Sequence, residues 1–423
     1  MSQNNQSIKV PMSTWVMWTF ASLFYAYQYI LRVLPNIMMP EIMAKFQIDA
    51  SIFGQFSGFY YLGYAGMHIP IGILLDRIGP KVIMPLSILL TVFGLFPLIY
   101  TDTWLYPSLG RALIGMGSSG AILGVFKVIR MGFPEYQFTR MLGISVTIGL
   151  IGAIYGGQPI NYLLSIFGWQ NVLNGIMILG LGLAICTYFS IPQQPGSDKI
   201  KPSFWKDVFT VLRCKKVWVV CLLAGLMVGP LEGFADVWGT EYLKSVYHFN
   251  NALASTLPSF IFLGMCFGSP LLSYWAEKTN AYYEITIFAA GIMALSYIAL
   301  LSGSLTSSMM MILFMIVGVM CSYQILMIYK ASTYVREQVV GLTTACANMI
   351  IMVFGYFFHS TIGTLLTGLW DGRMDDHIPV YSAQAFTVAL SIIPLGLCLA
   401  AVGYAFIRYQ ERKNVTLRKV HSF

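Results

Sequence analysis

Five ionisable side chains stand well inside long apolar runs of this 423-residue chain: Arg32, Arg111, Lys127, Glu232 and Asp236. At the centre of a membrane helix an Arg, Lys or Asp costs about 2.5 to 3.5 kcal/mol, so each needs a partner or a wet cavity. Arg32 carries a planar, permanently charged fork that fits carboxylate geometry. It suits a substrate carboxylate, a fixed acidic partner, or anchoring at the far interface. Glu232 and Asp236 are four residues apart and share a helix face. Two carboxylates so close in a low dielectric do not easily both hold a charge, which makes them candidates for carrying a proton near neutral pH. A standing partner for Arg32 and a pair that binds an amine are the competing readings. Gly229, Pro230 and Gly233 loosen the helix around them, as happens where backbone lines a cavity. Tyr25, Gln28, Tyr29, Tyr155, Gln158, Gln324 and Asn348 offer neutral hydrogen bonds to a polar solute, although such residues equally hold helices together. His68 and His359 read first as packing residues and second as proton relays. Lys127 reads as a lysine extending to the inner surface or as a solute contact.

The elements that must position these groups are set by composition. Hydrophobic residues make up 57% of the chain and charged residues 10%, against about 25% charged in soluble proteins. Such a chain cannot cover a water-facing surface. Apolar runs of about twenty residues, the length that spans hydrocarbon, recur from Trp15 to Ile407. They predict about twelve spans, near 13–38, 51–75, 82–101, 104–129, 140–166, 171–192, 217–243, 251–275, 282–304, 307–330, 338–367 and 383–408. The first is too long for a signal peptide, contains Arg32 and lacks a small-residue cleavage pattern. Twelve spans put both termini on one side, and 19 of the 25 Lys and Arg then fall on that side. Lys45, Lys244 and Arg373 fall opposite, and Arg32, Arg111 and Lys127 within spans, so the basic loops make both termini cytoplasmic. The net charge of +8 is spread over those short loops, which is not a nucleic-acid pattern. The seven cysteines, among them Cys186, Cys221, Cys266, Cys321, Cys346 and Cys398, have no metal-ligand spacing and read as small apolar packing residues.

The longest polar stretch, 193–216, divides the chain into an N-terminal bundle at 1–192 and a C-terminal bundle with a cytoplasmic tail at 217–423. It carries Lys199, Lys201, Lys206, Arg213, Lys215 and Lys216, and within it Phe204, Trp205, Val208, Phe209 and Leu212 recur at helical spacing. That pattern fits a short helix on the inner membrane surface, or an ordinary charged linker. The halves repeat weakly. Gly72 to Lys81 ends the second span with Asp76 and Arg77, and Gly268 to Lys278 ends the eighth with Glu277 and Lys278, an offset of 201. The same offset lays Glu232 on Leu31 and Asp236 on Pro35, so the acids come at the depth of Arg32 on the repeat-related helix.

Gly72-Ile-Leu-Leu-Asp76-Arg77-Ile-Gly79-Pro-Lys81 resembles the signature loop of the major facilitator superfamily between spans two and three, with Pro80 where a basic residue is usual. Asp76 can hold a neighbouring helix end or nearby arginines there, and Gly72 and Gly79 allow close packing, so the loop latches one of two alternating states. Arg111-Ala-Leu-Ile-Gly115-Met-Gly117-Ser118 is similar to the superfamily's fourth-helix motif, with Ile114 in place of Gln. Gly152 to Gly157 has the spacing of the antiporter motif, but Ala153 stands at its proline, which speaks against drug–proton exchange. Tyr29 to Met43, Phe59 to Pro70 and Asn348 to Gly372 resemble the phagosomal transporter (Pht) branch, which implies amino-acid uptake in an intracellular bacterium. A more distant resemblance to the anion-cation symporters rests on Arg32, with Leu31 at their Asp position.

The resemblance implies an all-α membrane fold of twelve helices in two pseudo-symmetric six-helix bundles, in a bacterial inner membrane. No nucleophile triad, metal cluster or phosphate loop points to an enzyme, a cofactor or a nucleotide-driven pump. The expected function is secondary transport, by alternating access, of a small zwitterion such as an amino acid or small peptide, with protons as coupling ion. The expected partners are that solute, protons and the lipid bilayer, with no nucleic acid, and the chain is expected to be a monomer. The expected solute contacts are Arg32, Tyr25, Gln28, Tyr29, Glu232, Asp236, Gln324, Asn348 and His359. Glu232 and Asp236 are expected to couple protons, while Gly72, Asp76, Arg77, Gly79, Lys81, Arg111 and Glu277 gate. Two alternatives stand beside it. A carboxylate-rich siderophore or organic anion would be the solute if Arg32, Arg111 and Lys127 face one basic cavity. A non-transporting receptor or sensor would have no use for the intact Asp76 loop, which serves cycling.

Overall fold

The computed structural model describes residues 10–193, 204–336, 339–375 and 378–420. Four unbroken helices lead: α1 (Met12–Phe46), α2 (Ala50–Arg77), α3 (Pro80–Tyr100) and α4 (Leu105–Gly132). Gly79, at φ 94°, and Pro80 make the turn into α3: the glycine adopts the left-handed side without a Cβ penalty, and the proline sits where no helical N–H is needed. Next come α5 (Phe138–Gly156), α6 (Gln158–Phe167) and α7 (Trp169–Ser190). The linker helix α8 (Phe204–Arg213) precedes α9 (Lys215–Leu226), a π-helical segment (Gly229–Trp238) and α10 (Gly239–Tyr247). The rest are α11 (Asn251–Thr256), α12 (Ser259–Thr279), α13 (Tyr282–Leu301), α14 (Ser307–Cys321), α15 (Tyr323–Ser332), α16 (Val340–Gly368), a two-stranded hairpin of β1 (Met374–Asp375) and β2 (Ile378–Pro379), α17 (Ala383–Leu390) and α18 (Ile392–Val420).

Among the described residues nine helical stretches are long and apolar enough to cross a membrane, and ten when the pair Lys215–Leu226 and Gly229–Tyr247, bent by 42°, counts as one. Helices α1 and α2 have the length, 35 and 28 residues, but their Tyr, Gly, Ser and Gln content lowers their hydropathy. With them the architecture accommodates twelve crossings. Several crossings are broken: Gly157 separates α5 from α6, Leu257 and Pro258 separate α11 from α12, and Ser391 separates α17 from α18. The hydropathy pattern predicts each of these as one continuous span, because a local break leaves mean hydropathy unchanged.

Helices α1 to α7 pack on one another, chiefly α2 and α3 on α4, α1 on α5 and α3 on α7. Helices α9 to α18 do likewise, with α12 on α14, α13 on α18 and α9 on α16. The two groups meet where α2 runs along α16, α5 along α12 and α1 along the π-helical segment. Glycines permit the closest approach: a Cβ on Gly54 of α2 would strike the His359 carbonyl, and one on Gly363 of α16 the Ala50 carbonyl.

The groups are joined on the side away from the termini. There the Ala50 N–H donates to the Tyr381 hydroxyl at 2.9 Å, the Ser51 N–H to Thr367 Oγ1 at 2.9 Å, and Asn161 Nδ2 to Ser255 Oγ at 3.2 Å. On the side of the termini they part around a cavity of about 410 Å³, with Tyr25, His68 and Arg130 on one wall and Ile328, Thr344 and Asn348 on the other. Helix α8 lies beside this gap. Val211 is buried against Ile69 of α2 and against Leu342 and Cys346 of α16, while Phe209 and Leu212 are exposed. Lys199 and Lys201 of the linker lie outside the described residues.

Candidate functional site

The site begins with a proline. Pro35 has no N–H, so the Leu31 carbonyl one turn earlier in α1 loses its helical partner. Arg111 of α4 supplies one: its Nη1 donates to the Leu31 carbonyl at 2.6 Å and its Nη2 to the Arg32 carbonyl at 2.7 Å. Its guanidinium lies 4.9 Å from the centre of the Tyr60 ring. Arg111 is thereby committed to the backbone that presents Arg32.

The Arg32 side chain crosses to the other group of helices. Its Nε lies 2.5 Å from Asp236 Oδ2, and its Nη2 bonds Glu232 Oε2. Both acids sit in the π-helical segment, whose first turn holds Gly229 and Pro230. The Tyr61 hydroxyl of α2 reaches the same two carboxylate oxygens, and His359 of α16 bonds the Glu232 backbone carbonyl through Nε2. The Tyr29 and Tyr61 rings flank the guanidinium at 5.2 and 5.4 Å. Arg32 is 6% exposed, and Glu232 and Asp236 are 0% exposed. Glu232 Oε1 and Asp236 Oδ1 have no hydrogen-bond partner among the described residues. Of the ion pairs seen among the described residues, those joining α1–α7 to α9–α18 are the two made by Arg32. Removing one partner of such a buried pair costs about 3 to 5 kcal/mol, because it strands a charge.

The other sequence-predicted residues divide by place. Tyr25 and Asn348 line the cavity, together with Tyr64 and His68. Gln28 is buried and accepts from the Tyr60 hydroxyl at 2.6 Å. Gln324 is buried with its Nε2 unpartnered among the described residues, and Tyr155 is exposed. In the signature loop, Asp76 Oδ1 lies 2.8 Å from Lys127 Nζ of α4, so Lys127 pairs with the loop acid. Lys81 stacks on Tyr188 of α7 at 5.0 Å, and Arg77 and Glu277 are exposed at the ends of α2 and α12. Gly72 borders a groove with Asp76 and Lys127. Sequence reasoning missed Tyr61 and Asn36. Both carried a signal, since Asn36 is one helical turn from Arg32, and Tyr61 lies in a Tyr60-Tyr61 pair three residues before Tyr64.

The profile of the Major Facilitator Superfamily matches residues 20–359. The chain belongs to the Major Facilitator Superfamily. It is 25% identical to the hexuronate transporter of Bacillus subtilis over 169 residues, 40% of either chain. It is 34% identical to the methyl viologen resistance protein SmvA of Salmonella typhimurium over 187 residues, 42% of this chain and 35% of that one. The chain thus spans about two fifths of the length of these relatives. The fold is similar to the crystal structure of a bacterial homolog of the human lysosomal transporter Spinster in an inward-facing, unoccupied conformation. The TM-score is 0.74 at 17% identity, covering 93% of this chain and 96% of that one.

Proposed function

We propose that this superfamily member is a secondary transporter of a bacterial inner membrane. It carries a small carboxylate-bearing zwitterion, an amino acid or small peptide, by alternating access coupled to protons. One observation carries the reading: the buried Arg32 pairs with Glu232 and Asp236 across the two groups of helices, beyond the inner end of a cavity that opens toward the termini. With the termini cytoplasmic, as the basic loops argue, this is the state closed outside and open inside.

The chemistry follows from competition for three charges. Opening the outer side pulls Arg32 away from the acids, which strands all three unless something replaces the lost partners. A zwitterion does so from both ends, its carboxylate on the Arg32 fork and its ammonium on one acid. The remaining acid is then discharged by a proton. Closure returns Arg32 to both acids, which displaces proton and solute toward Tyr64, His68 and Asn348 in the inner cavity. The resemblance to the Pht branch supports an amino acid as solute. An organic anion is the second reading: among the described residues no acidic side chain lines the inner cavity while Arg130 and His68 do, and the hexuronate transporter is among the relatives.

Uptake of a mixed, labelled metabolite pool by proteoliposomes, with and without an imposed pH gradient, tests the proposal. Glu232→Gln and Asp236→Asn are expected to separate, one losing gradient-driven accumulation while keeping exchange, the other losing binding. Normal accumulation by both variants would overturn the coupling role. Accumulation of acidic solutes alone would favour the anion reading.

A further inference from the structure

One turn beyond Arg32 on α1, Asn36 also reaches the other group of helices. Its Nδ2 donates to the Ala235 carbonyl at 2.9 Å, and its Oδ1 accepts from the Thr240 N–H at 3.0 Å. The side chain is 4% exposed. What makes these contacts informative is the backbone they touch. In a π-helix each N–H bonds the carbonyl five residues back, and at the end of this segment the Gly239 N–H reaches the Phe234 carbonyl in that register. The next bond of that ladder would join the Thr240 N–H to the Ala235 carbonyl. The Asn36 carboxamide lies between those two groups, accepting from one and donating to the other.

A side chain of one helix group therefore closes the backbone ladder of the other. A carboxamide is fitted to this because it holds a donor and an acceptor on one plane, whereas an ionised Asp lacks the donor and Leu lacks both. Glu232 and Asp236 lie inside the segment whose register is so held. Asn36 can occupy the ladder only while α1 and the segment touch, which is when the outer side is closed.

We propose that Asn36 is a positioning residue. Its carboxamide holds the π-helical register of Gly229–Trp238 while the outer side is closed, so that both acids meet Arg32 together. Its withdrawal on opening lets the Thr240 N–H and the Ala235 carbonyl find other partners, which resets the register and moves Glu232 relative to Asp236. This rests on the reading that the Arg32 ion pairs lock the outer side.

Amide hydrogen exchange of the purified full chain in lipid nanodiscs, followed on the peptide covering 229–241, tests it. Asn36→Ala is expected to exchange about tenfold faster there, as for loss of one buried hydrogen bond, while peptides from the inner half of α16 stay unchanged. Asn36→Gln, which carries the same donor and acceptor, is expected to restore protection to within about threefold. Where Asn36→Ala does not insert, Asn36→Leu takes its place and is expected to exchange as fast, because it keeps the volume and loses both donor and acceptor. Unchanged exchange in Asn36→Ala or Asn36→Leu, or exchange in Asn36→Gln as fast as in Asn36→Ala, overturns the positioning role. Arg32→Gln is the separate arm. It should deprotect the first turn of α2, and continued protection at Ala50 and Ser51 would sink the lock while leaving the Asn36 comparison to stand alone.

Discussion

Arg111 is read as the group that replaces the helical hydrogen bond Pro35 cannot make, and a double-mutant cycle puts that to the test. Its two contacts, at 2.6 and 2.7 Å to the Leu31 and Arg32 carbonyls, are hydrogen bonds from a charged donor in a buried place. Such bonds contribute about 1.5 to 3 kcal/mol each, so Arg111→Leu should cost about 3 to 6 kcal/mol. With an unfolding entropy of about 2.1 cal/mol/K per residue, a chain of this length unfolds with about 0.9 kcal/mol/K, and the melting temperature should fall by roughly 3 to 7 °C. Pro35→Ala gives the Leu31 carbonyl a backbone N–H at position 35. In that background Arg111→Leu loses only the Arg32 contact, so its cost should drop by about half, a coupling of about 1.5 to 3 kcal/mol. Thermal unfolding in detergent, followed by tryptophan fluorescence, measures all four proteins. Equal costs of Arg111→Leu in the two backgrounds would refute the reasoning, since Arg111 would then be serving something other than the carbonyl that Pro35 frees.

Two further outcomes are expected. The Asp76–Lys127 pair is solvent-exposed, the Asp76 side chain by 73%, and such pairs contribute about 0 to 1 kcal/mol, so Asp76→Asn should leave the melting temperature within about 1 °C while cutting uptake severely. Normal flux in a correctly inserted Asp76→Asn protein would remove the latch role. Tyr136, exposed on the side of the termini between α4 and α5, should as Tyr136→Cys resist an impermeant thiol reagent added to intact cells and react in inverted vesicles. Labelling from outside would reverse the assigned orientation.

Hydrophobic periodicity carried the fold a long way because lipid imposes a single rule on every span: backbone groups bond within the segment and side chains are apolar. Most helix ends follow from it to within four residues, though α1 runs eight residues past its predicted end and α18 twelve; the repeat offset puts Arg32, Glu232 and Asp236 at one depth on facing helices, where the structure brings them together. Three things were not legible. Which cation meets which acid depends on rotation about each helix axis, so Lys127 reads from sequence as a lysine reaching for the surface, whereas in the structure it holds Asp76. Gly229, Pro230 and Gly233 announce a loosened helix, but they do not say that the ladder becomes π-helical, since that register is completed by Asn36 from almost two hundred residues away. Gln28 and Asn348 are equally polar, yet one is spent on Tyr60 and the other faces the cavity, a difference set by packing and not by residue type.

Whether the Arg32 pairs hold the outer side shut is measured by cross-linking at that side. Ser51 Oγ of α2 and Thr364 Oγ1 of α16 lie 3.2 Å apart at the outer contact. With the seven native cysteines replaced, Ser51→Cys together with Thr364→Cys should form a disulfide readily under mild oxidation. Adding Arg32→Gln strands the two acids, and the loss of about 3 to 5 kcal/mol from the closed state should slow cross-linking by more than tenfold. An unchanged cross-linking rate in the Arg32→Gln protein would contradict the account and leave the cluster as static packing between the two groups of helices.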